Sequence, residues 1–201
     1  DYPRAALIYI PQDMPNPNSR NYQNAVQQAI IDVCVGADGH TLGLFTSHAA
    51  IQATRNGIKN QLDGLGYRVF SQGIDGTPGN LLNLFMDNPK SVLLGTASFW
   101  DGVDIPGDAL KALVLPRLPF NVPTDPIFAA RSELFEDPFN DYAIPKSVIR
   151  FRQGFGRLIR SESEKGAVII LDERIISRPY GKVFLNSLPH CAVLRGNLSG
   201  I

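Results

Sequence analysis

Seven short apolar runs, set apart by turn residues and by stretches of helical spacing, constrain this chain more than any other feature. They are AALIYI (5–10), TLGLFT (41–46), YRVF (67–70), SVLLGT (91–96), ALKALVLPRL (109–118), GAVIILD (166–172) and CAVL (191–194). Most are nearly continuous in apolar character, whereas a strand with one wet face would alternate. Such runs fit strands covered on both faces. Helical spacing fills the gaps: 21–35, 47–65 with Ser47 as a cap, 77–89 closed by Pro89, 126–136, 145–161 and 178–187. The β-α-β-α order predicts an α/β domain with a mostly parallel central sheet flanked by helices. No repeat, low-complexity tract or second domain interrupts residues 1–201. Ligands of open parallel sheets sit beyond the carboxyl ends of the strands, which directs attention to the loops after Thr46, Thr96 and Asp172.

Composition narrows the function. With 44% hydrophobic residues in 201, the chain can bury a full core. Nineteen basic and nineteen acidic residues cancel, which argues against a strongly basic nucleic-acid binder but not against local phosphate sites. No apolar run approaches the length of about 18 residues that a membrane span needs, and no basic start followed by an apolar stretch reads as a signal peptide. The chain opens at Asp1 rather than Met and reads as a piece of a longer protein. Cys34 and Cys191 lie far apart among apolar neighbours and read as reduced, buried thiols of a cytoplasmic protein. His40, His48 and His190 have no metal-ligand spacing, so no zinc or iron–sulfur site is expected in this chain.

Two phosphate motifs are missing. There is no G-x-x-x-x-G-K-[ST], since the single Gly-Lys pair, Gly181-Lys182, is followed by Val183. There is no G-x-G-x-x-G either. AVIILDER (167–174) mimics a magnesium-binding strand end, but without a P-loop lysine Asp172 and Glu173 read as capping or ion-pairing groups.

RFRQGFGRLIRS (150–161) nevertheless concentrates arginine. At about 100° per residue, Arg150, Gln153, Arg157 and Arg160 share one side of a helix, while Phe151, Phe155 and Leu158 form a separate stripe. A helix-interior glycine costs about 1 kcal/mol relative to alanine. Gly154 and Gly156 therefore suggest close approach by another backbone or a ligand, against the plainer reading of a solvated arginine face. GTASFWDGVDIPG (95–107) follows an apolar run, and its small residues would let a polymer backbone come near. Thr96 and Ser98 offer hydroxyls there, and Trp100 reads equally as a core anchor or a base-stacking ring. Asp101 and Asp104 could accept from ribose or steady an arginine. In LGLFTSH (42–48), Thr46 and Ser47 meet a helix N-terminus, either a phosphate site or a plain cap.

These three segments, in this order and spacing, resemble motifs IV, V and VI of superfamily 2 helicases, in wording most similar to the DinG/XPD-like group. VLPRLPFNVPTDPIFAARSE (114–133) and YIPQDMPNPNS (9–19) resemble the same group, so the likeness covers nearly the whole chain. It implies a three-layer RecA-like domain, the C-terminal of the two motor domains. The first, with the P-loop and the magnesium-binding box, would lie upstream of this chain. In some relatives that domain also carries an iron–sulfur insertion.

Carried over position by position, the resemblance makes Arg160 the arginine finger, Arg157 its support, and Gln153 a contact to the nucleotide or its phosphates. Asp104 matches the nucleotide-sensing aspartate, with Gly102 making room for it. Thr46, Ser47, Thr96 and Ser98 match positions that touch the backbone of the tracked strand. ATP and Mg²⁺ would be held mainly by the first domain, the partner would be single-stranded DNA, and movement would run 5′ to 3′. The alternative is a non-catalytic RecA-like module that binds nucleic acid or protein, which an upstream chain without a P-loop would favour. A free-standing nucleotide-binding protein using Asp172 and Glu173 for metal is a further alternative. Since this chain holds neither the P-loop lysine nor the magnesium ligands, the purified 201-residue chain is expected to hydrolyse ATP no faster than background. Robust turnover in a phosphate-release assay would refute the split-site reading.

Overall fold

A computed structural model of the chain describes residues 6–96, 109–121, 125–158 and 165–201. Within them, seven strands form one sheet: β1 (Ala6–Pro11), β2 (Thr41–Phe45), β3 (Arg68–Ser71), β4 (Ser91–Thr96), β5 (Ala112–Leu115), β6 (Gly166–Ile170) and β7 (Ala192–Gly196). Their order is β3-β4-β2-β5-β6-β1-β7, and every adjacent pair is parallel. Parallel neighbours need a crossover between them. The helices supply most of these: α1 (Tyr22–Gly36), α2 (His48–Gly64), α3 (Pro78–Asp87), α4 (Pro126–Ser132), α5 (Ile144–Leu158), α6 (Arg174–Ser177) and α7 (Gly181–Asn186).

Burial explains the continuous apolar runs. β2, β4 and β5 are buried at every position. On one face, α1 and α2 pack Ile30, Ile51, Ile58 and Leu62 against Val92, Leu94, Val114 and Ile169. On the other, α3, α5 and α7 pack Leu81, Phe85, Phe151, Phe155 and Phe184 against Leu42, Leu93, Leu113 and Ile170. Two apolar clusters with a sheet between them make the three layers expected from the sequence. Thr41, Ser71 and Ser91 are fully buried without disturbing that pattern. At the β3 edge, Asp75 accepts from the Ser71 amide at 2.9 Å and pairs with Arg55 at 2.7 Å, which blunts the open strand.

Caps follow local chemistry. Ser47 accepts from the Ala50 amide at the start of α2, and Asp125 accepts from Ile127 and Phe128 at the start of α4. Three elements depart from expectation. β5 spans only Ala112–Leu115, because Pro116 and Pro119 lack the N–H that a ladder needs. The helix expected over 126–136 stops at Ser132, and a π-helical turn, Pro138–Ala143, leads directly into α5. The helix expected over 178–187 is shorter, Gly181–Asn186, and a separate turn of helix, α6, precedes it on the other side of Pro179.

Gly181 opens α7 against the Ile175 carbonyl; a Cβ there would lie 2.0 Å from that oxygen. Gly181→Ala is expected to lower stability by about 1–3 kcal/mol in urea unfolding, by forcing a backbone shift. The thiols should differ as well. Cys34 is fully buried, which pushes its thiol up to about 12, whereas Cys191 is only partly covered. Cys191 is expected to be alkylated first by iodoacetamide in the native chain, with Cys34 reacting only on unfolding.

Candidate functional site

The carboxyl ends of β4, β2, β5 and β6 lie side by side. Phe45 pairs with Thr96 in register, so the strand ends bearing Thr46 and Thr96 are neighbours. Thr46 is half-buried, and Ser47 is exposed as the α2 cap. Thr96 is 8% exposed, and both its amide and its hydroxyl donate to Gln72 Oε1, at 2.8 and 3.0 Å. The Thr96 side chain is thereby tied to Gln72 at the end of β3. Gln72 follows β3 and carries no motif, so sequence reasoning missed it.

α5 crosses beside β2 and β5. Phe151 and Phe155 are buried, and Gln153 is on the exposed side. Gln153, Gly154, Arg150, Thr46 and Arg117 line one narrow cleft, so the helix position assigned to nucleotide and the strand-end position assigned to nucleic acid share it. Gly154 departs from the expectation of close approach by another backbone or a ligand. It is buried and faces β2, where a Cβ would meet Leu44 at an ordinary 3.7 Å. Gly156 is exposed, with nothing within 4 Å of a Cβ. Arg157 belongs to the last turn of α5. Ser98, Gly102, Asp104 and Arg160 lie outside the described residues, as does Trp100.

The end of β6 is organised by Asp172, which is fully buried. Its Oδ2 accepts from the Leu118 amide at 2.9 Å and from Arg174 Nη2 at 2.6 Å. Its Oδ1 accepts from the amide and Nε of Arg174, at 3.1 and 2.8 Å. Hydrogen bonding to Asp172 raises the Arg174 pKa further. Both carboxylate oxygens are occupied by donors, and Glu173 accepts from Asn16, which removes the metal-binding reading of this strand end. Among the described residues no group of three or more His, Cys, Asp or Glu is placed to hold a metal ion. No described helix is long and apolar enough to cross a membrane.

Beside Asp172 a cavity of about 950 Å³ opens between the strand ends, α4 and α6. Arg117, Arg174 and Arg178 supply three guanidiniums, and Phe120, Phe139 and Tyr180 supply ring faces. Arg174 lies over the Phe120 ring at 5.7 Å, and Phe120 stacks on Phe139 at 5.8 Å. Arg117 lies over the Tyr22 ring at 5.3 Å and donates to the Pro17 carbonyl at 2.6 Å. The Tyr22 hydroxyl donates to the Pro116 carbonyl, and burial, then Asp172, push its pKa far above the ordinary phenol range. Guanidiniums beside rings of which Phe139 is exposed suit an anionic polymer with stacking bases. Arg174 and Phe120 were not chosen from sequence. Their signal is the pairing of PRLPFN (116–121) with DER (172–174), which are 54 residues apart at the Leu118–Asp172 contact.

The helicase C-terminal domain family matches residues 30–191. The chain is 37% identical over 199 residues to the ATP-dependent DNA helicase YoaA of Haemophilus influenzae, covering 97% of this chain and 30% of that protein. It is 43% identical over 157 residues to the 3'-5' exonuclease DinG of Bacillus subtilis, covering 76% and 17%. It thus spans less than a third of these relatives. A solved XPD helicase superposes with a TM-score of 0.68 at 19% identity, over 94% of this chain and 36% of that one.

Asp172→Ala would strip Arg174 and the Leu118 amide of their acceptor. It is expected to cost about 3 kcal/mol in urea unfolding, because a partly buried charge and a buried N–H lose their partner together.

Proposed function

The chain belongs to the helicase C-terminal domain family, in its DinG/XPD-like branch, and from that premise we propose that it is the second motor domain of an ATP-dependent DNA helicase. It completes, from one side, an ATP site whose P-loop and magnesium ligands belong to the first domain. The observation that carries this reading is the convergence of Gln153 on α5 with Thr46 at the end of β2 in one cleft, beside a groove lined by guanidiniums and rings.

In this reading ATP binds between the two domains. Closure brings Arg157 and Arg160 to the γ-phosphate, where their planar cations offset charge developing on the equatorial oxygens. Gln153 contacts the nucleotide or its phosphates, and Asp104, with Gly102 making room, senses its state. Hydrolysis removes the anchor and the cleft reopens. Single-stranded DNA lies across the strand ends, touched by Thr46, Ser47, Thr96 and Ser98. Such contacts carry no base information, as a translocating motor requires. Thr96 is held at the strand end by its amide and hydroxyl bonds to Gln72. Arg174 and Phe120 extend the path along the groove. Alternating grip by the two domains moves the protein 5′ to 3′ along the strand.

The test uses the intact protein that carries this domain. Arg160→Ala is expected to lower the ATPase rate by about 10³-fold, as for other arginine fingers, with strand affinity nearly unchanged. A loss below about tenfold would return Arg160 to a structural role. Thr96→Ala is expected to weaken oligothymidylate binding more than ATP binding. Equal effects on both would remove it from the strand path.

A further inference from the structure

Arg150 is the arginine of the α5 cluster for which the proposed function has no use. It is half-buried, and its Nη1 donates to Asn121 Oδ1 at 2.7 Å. Arg150 and Arg157 are seven residues apart, which returns nearly to the same azimuth on a helix. Whatever fixes the roll of α5 at Arg150 therefore also fixes the roll of its last turn.

Asn121 is not a mobile acceptor. It ends the segment 116–121, which is tied down three times before it reaches Arg150. Arg117 donates to the Pro17 carbonyl, the Leu118 amide donates to buried Asp172, and Phe120 packs against Phe139, Tyr180 and Phe184. The same segment lines the large groove through Arg117, Leu118, Phe120 and Asn121. One short stretch thus touches the groove on one side and the arginine helix on the other. A hydrogen bond that includes a charged group and is partly shielded from water is stronger than a typical neutral one.

We infer that Arg150, through Asn121, is a positioning residue that holds α5 in register with the groove floor, so that a strand in the groove biases the helix whose last turn includes Arg157. This rests on the proposed function. Neither Arg150 nor Asn121 touches nucleotide in that scheme. Their effect should appear in how single-stranded DNA accelerates ATP hydrolysis, rather than in binding of ATP.

The experiment measures ATPase kinetics of the intact protein with and without oligothymidylate, for the unaltered protein and for Arg150→Ala, Asn121→Ala, the double variant, Asn121→Asp and Arg152→Ala. At saturating oligothymidylate, which offsets any loss of strand affinity at the groove-lining Asn121, Arg150→Ala and Asn121→Ala are each expected to lower the DNA-stimulated kcat about tenfold, with ATP KM and the unstimulated rate within about twofold. The double variant should lose no more than either single one. Asn121→Asp keeps the acceptor and should retain stimulation, as should Arg152→Ala at an exposed position on the same helix. Stimulation that survives both alanine changes overturns the inference. So do losses that multiply in the double variant, or an equal fall in the unstimulated rate, which marks a merely structural role. The Asn121 pair decides the matter even where Arg150→Ala proves unstable, since Asp supplies Arg150 with an acceptor, now charged, where Ala supplies none. An unaltered protein whose ATPase ignores single-stranded DNA would sink the proposed function itself, and the inference with it.

Discussion

A single buried carboxylate sets the geometry of the sheet's working edge. Asp172 is removed from water, and its two oxygens accept four hydrogen bonds, three from Arg174 and one from the Leu118 amide. A charge in that position is tolerable because a guanidinium fork faces it and its lone pairs are filled. The contact joins β6 to the segment that leaves β5. Pro116 and Pro119 cannot extend the ladder, so that segment turns away from the sheet and relies on Asp172 for direction. Phe120 and Arg174 then stack, Arg117 closes over Tyr22, and a floor results between the sheet and α4.

Above that floor, the all-parallel topology does the remaining work. The order β4-β2-β5-β6 places every carboxyl end on the same side. Residues from four distant parts of the chain meet there at no cost in extra backbone. α5 spans the edge with a buried aromatic stripe of Phe151 and Phe155 and an opposite face left for polar contacts. Gly154 is buried against Leu44 with room for a Cβ, whereas Gly156 is exposed, with no described atom within 4 Å of a Cβ. The two glycines, alike in sequence, therefore have different physical settings.

Much of this was legible beforehand. GAVIILD, SVLLGT and TLGLFT read as strands because both faces of a parallel strand are covered and no polar alternation is needed. Ser47 read as a cap because hydroxyls before an apolar-periodic stretch satisfy orphan amides, and it does accept from Ala50. Asp172 and Glu173 read as capping or ion-pairing groups because the chain has no P-loop lysine; Asp172 does pair with Arg174, whereas Glu173 accepts from the Asn16 side-chain amide. The π-helical turn at 138–143 was not legible, since its i→i+5 pattern has no residue signature of its own. Nor was the shortened β5, although its prolines foretold it.

The sequence by itself determined the layered α/β class, the parallel sheet and the family, because buried strands and ordered motifs leave a local trace in residue type. Tertiary structure alone decided that Gln153 shares a cleft with Thr46, that the Thr96 hydroxyl turns to Gln72, and that Arg150 rests on Asn121. Each of these joins side chains that are 24 or more residues apart. Such contacts depend on strand order and on the roll of helices, and neither is written in any short stretch of chain.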